Sequence, residues 1–268
     1  MPTINFIKKL PIVWCYAYYL MNAKHWKGHG IHSPFLYELI CKVIFDKKHY
    51  HEYELFNAIR GELIHSQYFI EIEDFGAKSA NFHKKKRRIA DMVQKSSVNS
   101  KFGKLLFRLV HYYKPDIIVE LGTSLGLSAI YMAAANNQSA LLTIEGNEGL
   151  CTFAEHLFEK HKIKNIIILH GSFDDVLNKI ANEYSCPQFV FIDGDHNYVA
   201  TMKYYEHFIN VMEEGIIVFD DINWSPGMRK AWHRIKNATH VHATVDLFFM
   251  GIVIKRKMIT PARYCVRF

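Results

Sequence analysis

Several absences narrow this chain of 268 residues before any motif is read. Its five cysteines, Cys15, Cys41, Cys151, Cys186 and Cys265, form no Cys-x-x-Cys pair. That excludes a zinc knuckle and a disulfide framework, and it fits a reducing, cytoplasmic setting. No early apolar run approaches the roughly 20 residues of a membrane span. The longest, Leu10–Met21, follows Lys8 and Lys9, and the stretch after it, Asn22-Ala23-Lys24-His25-Trp26, is a poor cleavage site for a signal peptide. It is expected to be a buried or surface-docked helix, and residues 10–21 are also where peripheral membrane contact would fall. Repeats, low-complexity tracts and a Gly-x-Gly-x-x-Gly fingerprint are missing too.

What is present is a globular composition with local charge. Half of the residues are apolar and 14% are aromatic, which argues against disorder. The net charge of +7 is concentrated in residues 1–100, with 15 basic and 9 acidic side chains, so the remainder is nearly neutral. A uniformly basic nucleic-acid coat is excluded; a basic module on a neutral domain is the better description.

Residues 1–100 are expected to form a mainly helical basic extension or cap. Ser33-Pro34 supplies a capping hydroxyl and a proline at the first helical position, and Phe35, Leu36, Leu39, Ile40, Val43 and Ile44 follow at helical spacing. A helix is expected near 52–65, a short extended piece at Tyr68, Ile70 and Ile72, and a loop at 76–81. The run Lys84–Arg88 is expected to open or sit on another helix.

From residue 101 to 268 strands and helices alternate regularly. Apolar, β-branched runs at 117–121, 141–144, 166–169, 189–192 and 216–219 are each followed by a helical pattern. Five such units imply a parallel sheet covered on both faces. The last two runs, 241–245 and 248–255, leave no room for a crossover helix and must form an antiparallel hairpin. The expected fold is α/β: a Rossmann-like, doubly wound, seven-stranded sheet, mostly parallel with an antiparallel C-terminal hairpin strand, plus an N-terminal helical extension.

In such sheets ligands bind beyond the carboxyl ends of the strands. After the first strand stands Glu120-Leu121-Gly122-Thr123-Ser124-Leu125-Gly126, then Ser128; the two glycines allow a tight turn and close backbone approach to a ligand at a helix N-terminus. After the second come Glu145, Gly146 and Asn147, with Glu145 placed to accept both hydroxyls of a ribose or, more plainly, to sit at a helix N-terminus. After the third, Ser172 and Phe173 suit an adenine edge and face, and equally a helix cap and a core ring. After the fourth and fifth come Asp193-Gly194-Asp195-His196 and Asp220-Asp221-Ile222-Asn223-Trp224. Adjacent carboxylates repel unless solvated, protonated or neutralised, so Asp193, Asp220 and Asp221 are candidate oxygen ligands for Mg²⁺ or Ca²⁺, or simply acids on a wet rim. Together these residues favour a single nucleoside-like cofactor beside a polar reaction site. The histidines His25, His29, His32, His49 and His51 fit no zinc spacing well and read as surface or packing residues.

Over residues 101–255 these motifs resemble the class I S-adenosylmethionine-dependent methyltransferases. Val119–Ser128 is similar to the family's first motif, Thr143-Ile144-Glu145 to its ribose-binding motif, and Phe191–His196 to its fourth. The branch most resembled is that of the caffeoyl-CoA and catechol O-methyltransferases, with two departures. His196 stands where that branch has a lysine, and Asp221 where it has an asparagine. The block His29–Phe35 resembles one in uncharacterised bacterial methyltransferase-like proteins.

The resemblance implies an S-adenosylmethionine cofactor held by Glu120, Gly122, Thr123, Ser124, Ser128, Glu145, Asn147, Ser172, Phe173 and Asp193. It implies His196 and Asp193 as catalytic residues, with metal assistance through Asp193, Asp220 and Asp221, unless the two departures mark a metal-free relative with a different acceptor. The expected reaction is O-methylation of a small, acidic acceptor. Two other readings stand beside it: an RNA methyltransferase using the basic segment around Lys84–Arg88, and a non-catalytic binding protein that keeps the fold. A homodimer is left open.

Overall fold

The computed structural model describes residues 3–25, 28–73, 84–95, 97–184, 186–257 and 260–268. The elements in chain order are α1 (Thr3–Asn22), α2 (Pro34–Glu38) continuing as a π-helical stretch (Leu39–Ile44), α3 (Glu52–Ile64), β1 (Phe69–Glu73), β2 (Lys84–Arg88), α4 (Ile89–Lys95) and α5 (Ser100–Tyr113). Then follow β3 (Ile117–Leu121), α6 (Leu127–Ala135), β4 (Ala140–Glu145), α7 (Glu148–Lys160), β5 (Ile166–His170), α8 (Phe173–Glu183), β6 (Phe189–Ile192), α9 (Tyr198–Val211), β7 (Gly215–Phe219) and α10 (Pro226–Lys236). Last come β8 (Ala243–Asp246), β9 (Gly251–Lys255) and β10 (Ala262–Cys265).

The main sheet has eight strands in the order β10-β8-β9-β7-β6-β3-β4-β5. The alternating α/β architecture and the antiparallel β8–β9 hairpin are as the sequence implies. The eighth strand is new: β10 pairs in parallel with β8 at the edge. The chain divides into two compact units, residues 47–185 and residues 1–46 together with 186–268.

Within residues 47–185, β3, β4 and β5 pair in parallel. Helix α5 starts at Asn99, whose side chain accepts from the Lys101 N–H, and ends at Lys114 in the left-handed conformation just before Pro115. Its buried stripe of Leu105, Leu106, Leu109 and Val110 is the one the helical period marks. It approaches α6 closely because residue 103 is glycine: a Cβ there would lie 2.3 Å from the Tyr131 ring.

The basic run 84–88 is a strand, not a helix. It pairs antiparallel with β1, placing Glu71 opposite Lys86. Opposite charges facing across an antiparallel pair favour this register, and Lys86 Nζ lies 3.4 Å from Glu71. Arg88 is turned back onto the Ser66 carbonyl and the Gln67 side chain. The loop expected at 76–81 lies outside the described residues.

Within the other unit, β6 and β7 are parallel and β9 is antiparallel to β7. Ser33 caps α2 and Pro34 takes its first position, as the sequence indicates. Helix α1 docks through aromatic rings: Tyr16 and Tyr19 lie 4.8 and 5.3 Å from the Phe248 ring, centroid to centroid. The buried Tyr19 hydroxyl donates to the Val266 carbonyl and accepts from the Phe268 N–H at 3.2 Å. Val13, Trp14, Tyr18 and Met21 of the same helix are exposed. Among the described residues no helix is long and apolar enough to cross a membrane.

Candidate active site

In the unit of residues 47–185 the turn between β3 and α6 carries three left-handed residues, Gly122 (φ 107°), Ser124 (φ 49°) and Gly126 (φ 79°). The N–H groups of Gly122 and Thr123 both donate to the Ile144 carbonyl of β4. A side chain at Gly126 would meet the Phe158 ring at 2.6 Å, so packing as well as φ requires glycine there. Ser124 adopts a conformation that costs a non-glycine residue about 1–2 kcal/mol.

Two carboxylates hold this turn. Glu120 is fully buried and accepts from the Thr143 hydroxyl at 2.5 Å. Thr143 thereby spends its only hydroxyl proton, so the 2.6 Å contact between Thr123 and Thr143 runs from Thr123 as donor. Thr143 stands opposite Glu120 in register, and facing polar side chains on paired strands are the signal of its role. Glu145, partly exposed at the end of β4, accepts from the Ser124 N–H at Oε2 and from the Asn147 N–H at Oε1, each at 2.9 Å.

The other candidates of this unit stand at helix N-termini. Asn147 is buried and caps α7, accepting from the Leu150 N–H. Ser172 caps α8, accepting from the Asp175 N–H and donating to its carboxylate. Phe173 is the first residue of α8, and Ser128 is buried in the first turn of α6. The structure thus links Glu120 with Thr123, and Ser124 with Glu145 and Asn147.

In the unit of residues 1–46 and 186–268, Ile192, Phe219, Gly251, Asp246 and Cys265 stand in one row across β6, β7, β9, β8 and β10. Asp193 and Asp220 each follow a residue of that row, so they share one sheet edge. His196 Nε2 lies 3.5 Å from Asp193 Oδ1, with the two side chains 29% and 20% exposed. Asp195 and Asp221 sit in the left-handed region, φ 51° and 52°. Asp195 accepts from the Tyr204 hydroxyl at 2.8 Å, and Asn197 caps α9.

The electrostatics follow from crowding. Burial, then the charges of Asp193 and Asp221, push the Asp220 carboxyl well above the usual carboxylate range. Burial also raises Asp221, against the pull of His196. Burial alone would lower the His196 pKa, but the hydrogen bond and charge of Asp193, with Asp221 and Asp195 behind it, outweigh that and the net direction is upward.

The metal expectation is not shown. Among the described residues no three His, Cys, Asp or Glu side chains gather as a group able to hold a metal ion. Asp193 faces His196, whose Nε2 is 3.5 Å from it. The trio Asp193, Asp220 and Asp221 is therefore not seen as a ligand set for Mg²⁺ or Ca²⁺ among the described residues. The N-terminal histidines form no such group either; His25, for one, packs its ring on Tyr264.

Comparison with known proteins agrees with this geometry. Residues 119–222 match a family model described as a methyltransferase domain. Catechol O-methyltransferase from Bos taurus is 25% identical over 135 residues, 48% of this chain and 49% of that protein, so the chain spans about half the length of this curated relative. The O-methyltransferase from Bacillus cereus, solved in complex with SAH, shares 23% identity at a TM-score of 0.52, covering 60% of this chain and 84% of that one. A Staphylococcus aureus structure described as a caffeoyl-CoA O-methyltransferase shares 16% identity at a TM-score of 0.55, covering 62% and 88%. Residues 119–222 are thus similar to a methyltransferase domain, and the fold is the class I methyltransferase fold that these structures share.

Proposed function

We propose that this chain transfers a methyl group from S-adenosylmethionine to a hydroxyl oxygen of a small acceptor. The observation that carries the reading is the glycine turn tied to Glu145. The turn brings backbone within reach of a ligand, and the carboxylate beside it has capacity left: about four lone-pair sites, two of them used by N–H groups. Vicinal ribose hydroxyls are the donors such a group suits. Glu120, through Thr143 and Thr123, holds the turn rather than touching the cofactor.

S-adenosylmethionine, when bound, supplies a methyl group on a sulfonium, already activated for displacement. What remains for the protein is to position the acceptor and take its proton. With Nε2–H directed to Asp193, the neutral His196 ring presents Nδ1 as the proton-accepting atom. The imidazolium formed there is stabilised by Asp193, Asp221 and Asp195. In this reading the imidazole does what a lysine does elsewhere in the branch, without needing a lowered pKa.

Calorimetry with S-adenosylmethionine and S-adenosylhomocysteine should show one site for each, and methyl transfer to a panel of catechols and phenolic acids should be lost in His196→Ala. Absence of both heat and thermal shift with the cofactor would overturn the reading.

A further inference from the structure

A cavity of about 650 Å³ lies wholly within the unit of residues 1–46 and 186–268. Every residue lining it falls outside 119–222, so it is built by parts of the chain that the shared methyltransferase domain does not include. Its size is within the roughly 300–1,000 Å³ of small-molecule sites.

Two properties define what it would take. The first is flat apolar surface: Trp14, Tyr18 and Tyr19 of α1 face the cavity together with Trp232, Phe248 and Tyr264. The second is uncompensated positive charge. Among the described residues, Arg229, Lys236 and Arg263 line it against a single carboxylate, Asp246. Arg229 donates to the Asn223 carbonyl, and Arg263 to the carbonyls of Val241 and Ala262, so both spend hydrogen bonds on neutral acceptors. Asp246 is divided: it accepts from the Trp232 indole N–H and the Phe248 N–H, and Lys236 Nζ is 4.0 Å away. One shared carboxylate does not neutralise three cations.

We propose that this cavity is a binding site for a small planar aromatic acid, its ring laid among the tryptophans and tyrosines and its carboxylate turned to Lys236 and Arg229. The cavity lies at the sheet edge that also carries Asp220: Asp246 is in register with Phe219 through Gly251. The proposal concerns binding alone and stands apart from the methyl-transfer reading.

The test uses 2-naphthoate and its neutral isostere 2-naphthamide on the full chain without cofactor, followed by calorimetry and tryptophan fluorescence. The acid should bind one to one and about tenfold tighter than the amide, a preference that shrinks as salt is raised from roughly 0.05 to 0.5 M. Lys236→Gln should cut the preference at least about threefold. Trp14→Ala should weaken both probes alike without lowering the melting temperature, because Trp14 is 70% exposed. No binding of either probe, equal affinity for acid and amide, or a preference untouched by Lys236→Gln would overturn the proposal.

Discussion

Glu145→Gln separates ribose binding from helix-end electrostatics. Both carboxylate oxygens are in use, Oε2 by the Ser124 N–H and Oε1 by the Asn147 N–H. Glutamine keeps one acceptor oxygen and presents an NH₂ in place of the other, so one backbone N–H faces a donor and the negative charge is gone. A hydrogen bond to a charged group contributes about 1.5–3 kcal/mol. Losing one hydroxyl contact should therefore weaken S-adenosylmethionine binding by about tenfold to a hundredfold. The stability cost should be smaller, about 1 kcal/mol, because the site is partly exposed and water can reach the orphaned N–H. Calorimetry of both cofactor forms reads the first effect and urea unfolding the second. Glu145→Asp, which keeps the charge but draws it back by one methylene, should fall between. A folded Glu145→Gln protein whose affinity stays within about twofold of the wild type would refute the assignment, since helix-end charge alone has no reason to act on the cofactor.

Three further outcomes are expected. The rate of methyl transfer should rise with pH as His196 loses its proton, with a midpoint above about 6.5, and Asp193→Asn should move that midpoint down by removing the strongest upward influence on the ring; an unmoved pH–rate profile argues against His196 as the base. Asp220 is raised in the folded state, so its contribution to stability is present below its unfolded pKa of about 3.9 and is lost as pH rises through the folded value. Asp220→Asn should accordingly unfold at higher urea than the wild type at neutral pH and at the same urea below about pH 4; if added Mg²⁺ reverses that order, the aspartates do serve a cation. Gly126→Ala should cost about 2–5 kcal/mol, from the left-handed backbone and the Phe158 ring 2.6 Å from the new Cβ, whereas Gly61→Ala, helical with nothing within 4 Å, should gain about 0.5–1 kcal/mol in the same urea titration.

The parts of this molecule that are legible in its sequence are those decided locally. Each strand from β3 to β7 is a short apolar run followed by a helical stripe; burial on both faces forces that composition in β3, β4, β6 and β7, while β5 is only partly buried. The glycine turn is legible for the same reason, because φ of 107° and 79° leaves almost no residue but glycine. Strand β2 is not: lysine and arginine are good helix formers, and only pairing with β1, which sets Glu71 against Lys86, makes the run a strand. Strand β10 escapes notice because four residues at a sheet edge owe their conformation to the ladder with β8.

The acid cluster shows where topology stops and side-chain direction begins. The rule that ligands sit at strand ends brings Asp193 and Asp220 to one edge, and the register places them there. Whether carboxylates at one edge become metal ligands or a proton relay depends on the loops that follow. Here Asp195 and Asp221 both adopt left-handed backbone, a conformation open to few residues besides glycine, asparagine and aspartate. Asp195 is held by Tyr204 from α9, while Asp193 meets His196. A lysine at position 196 would place a fixed charge beside Asp193 at every ordinary pH. Histidine makes that charge conditional, so this edge can both take up a proton and release it near neutrality, which is the property an enzyme that deprotonates a hydroxyl group requires of its base.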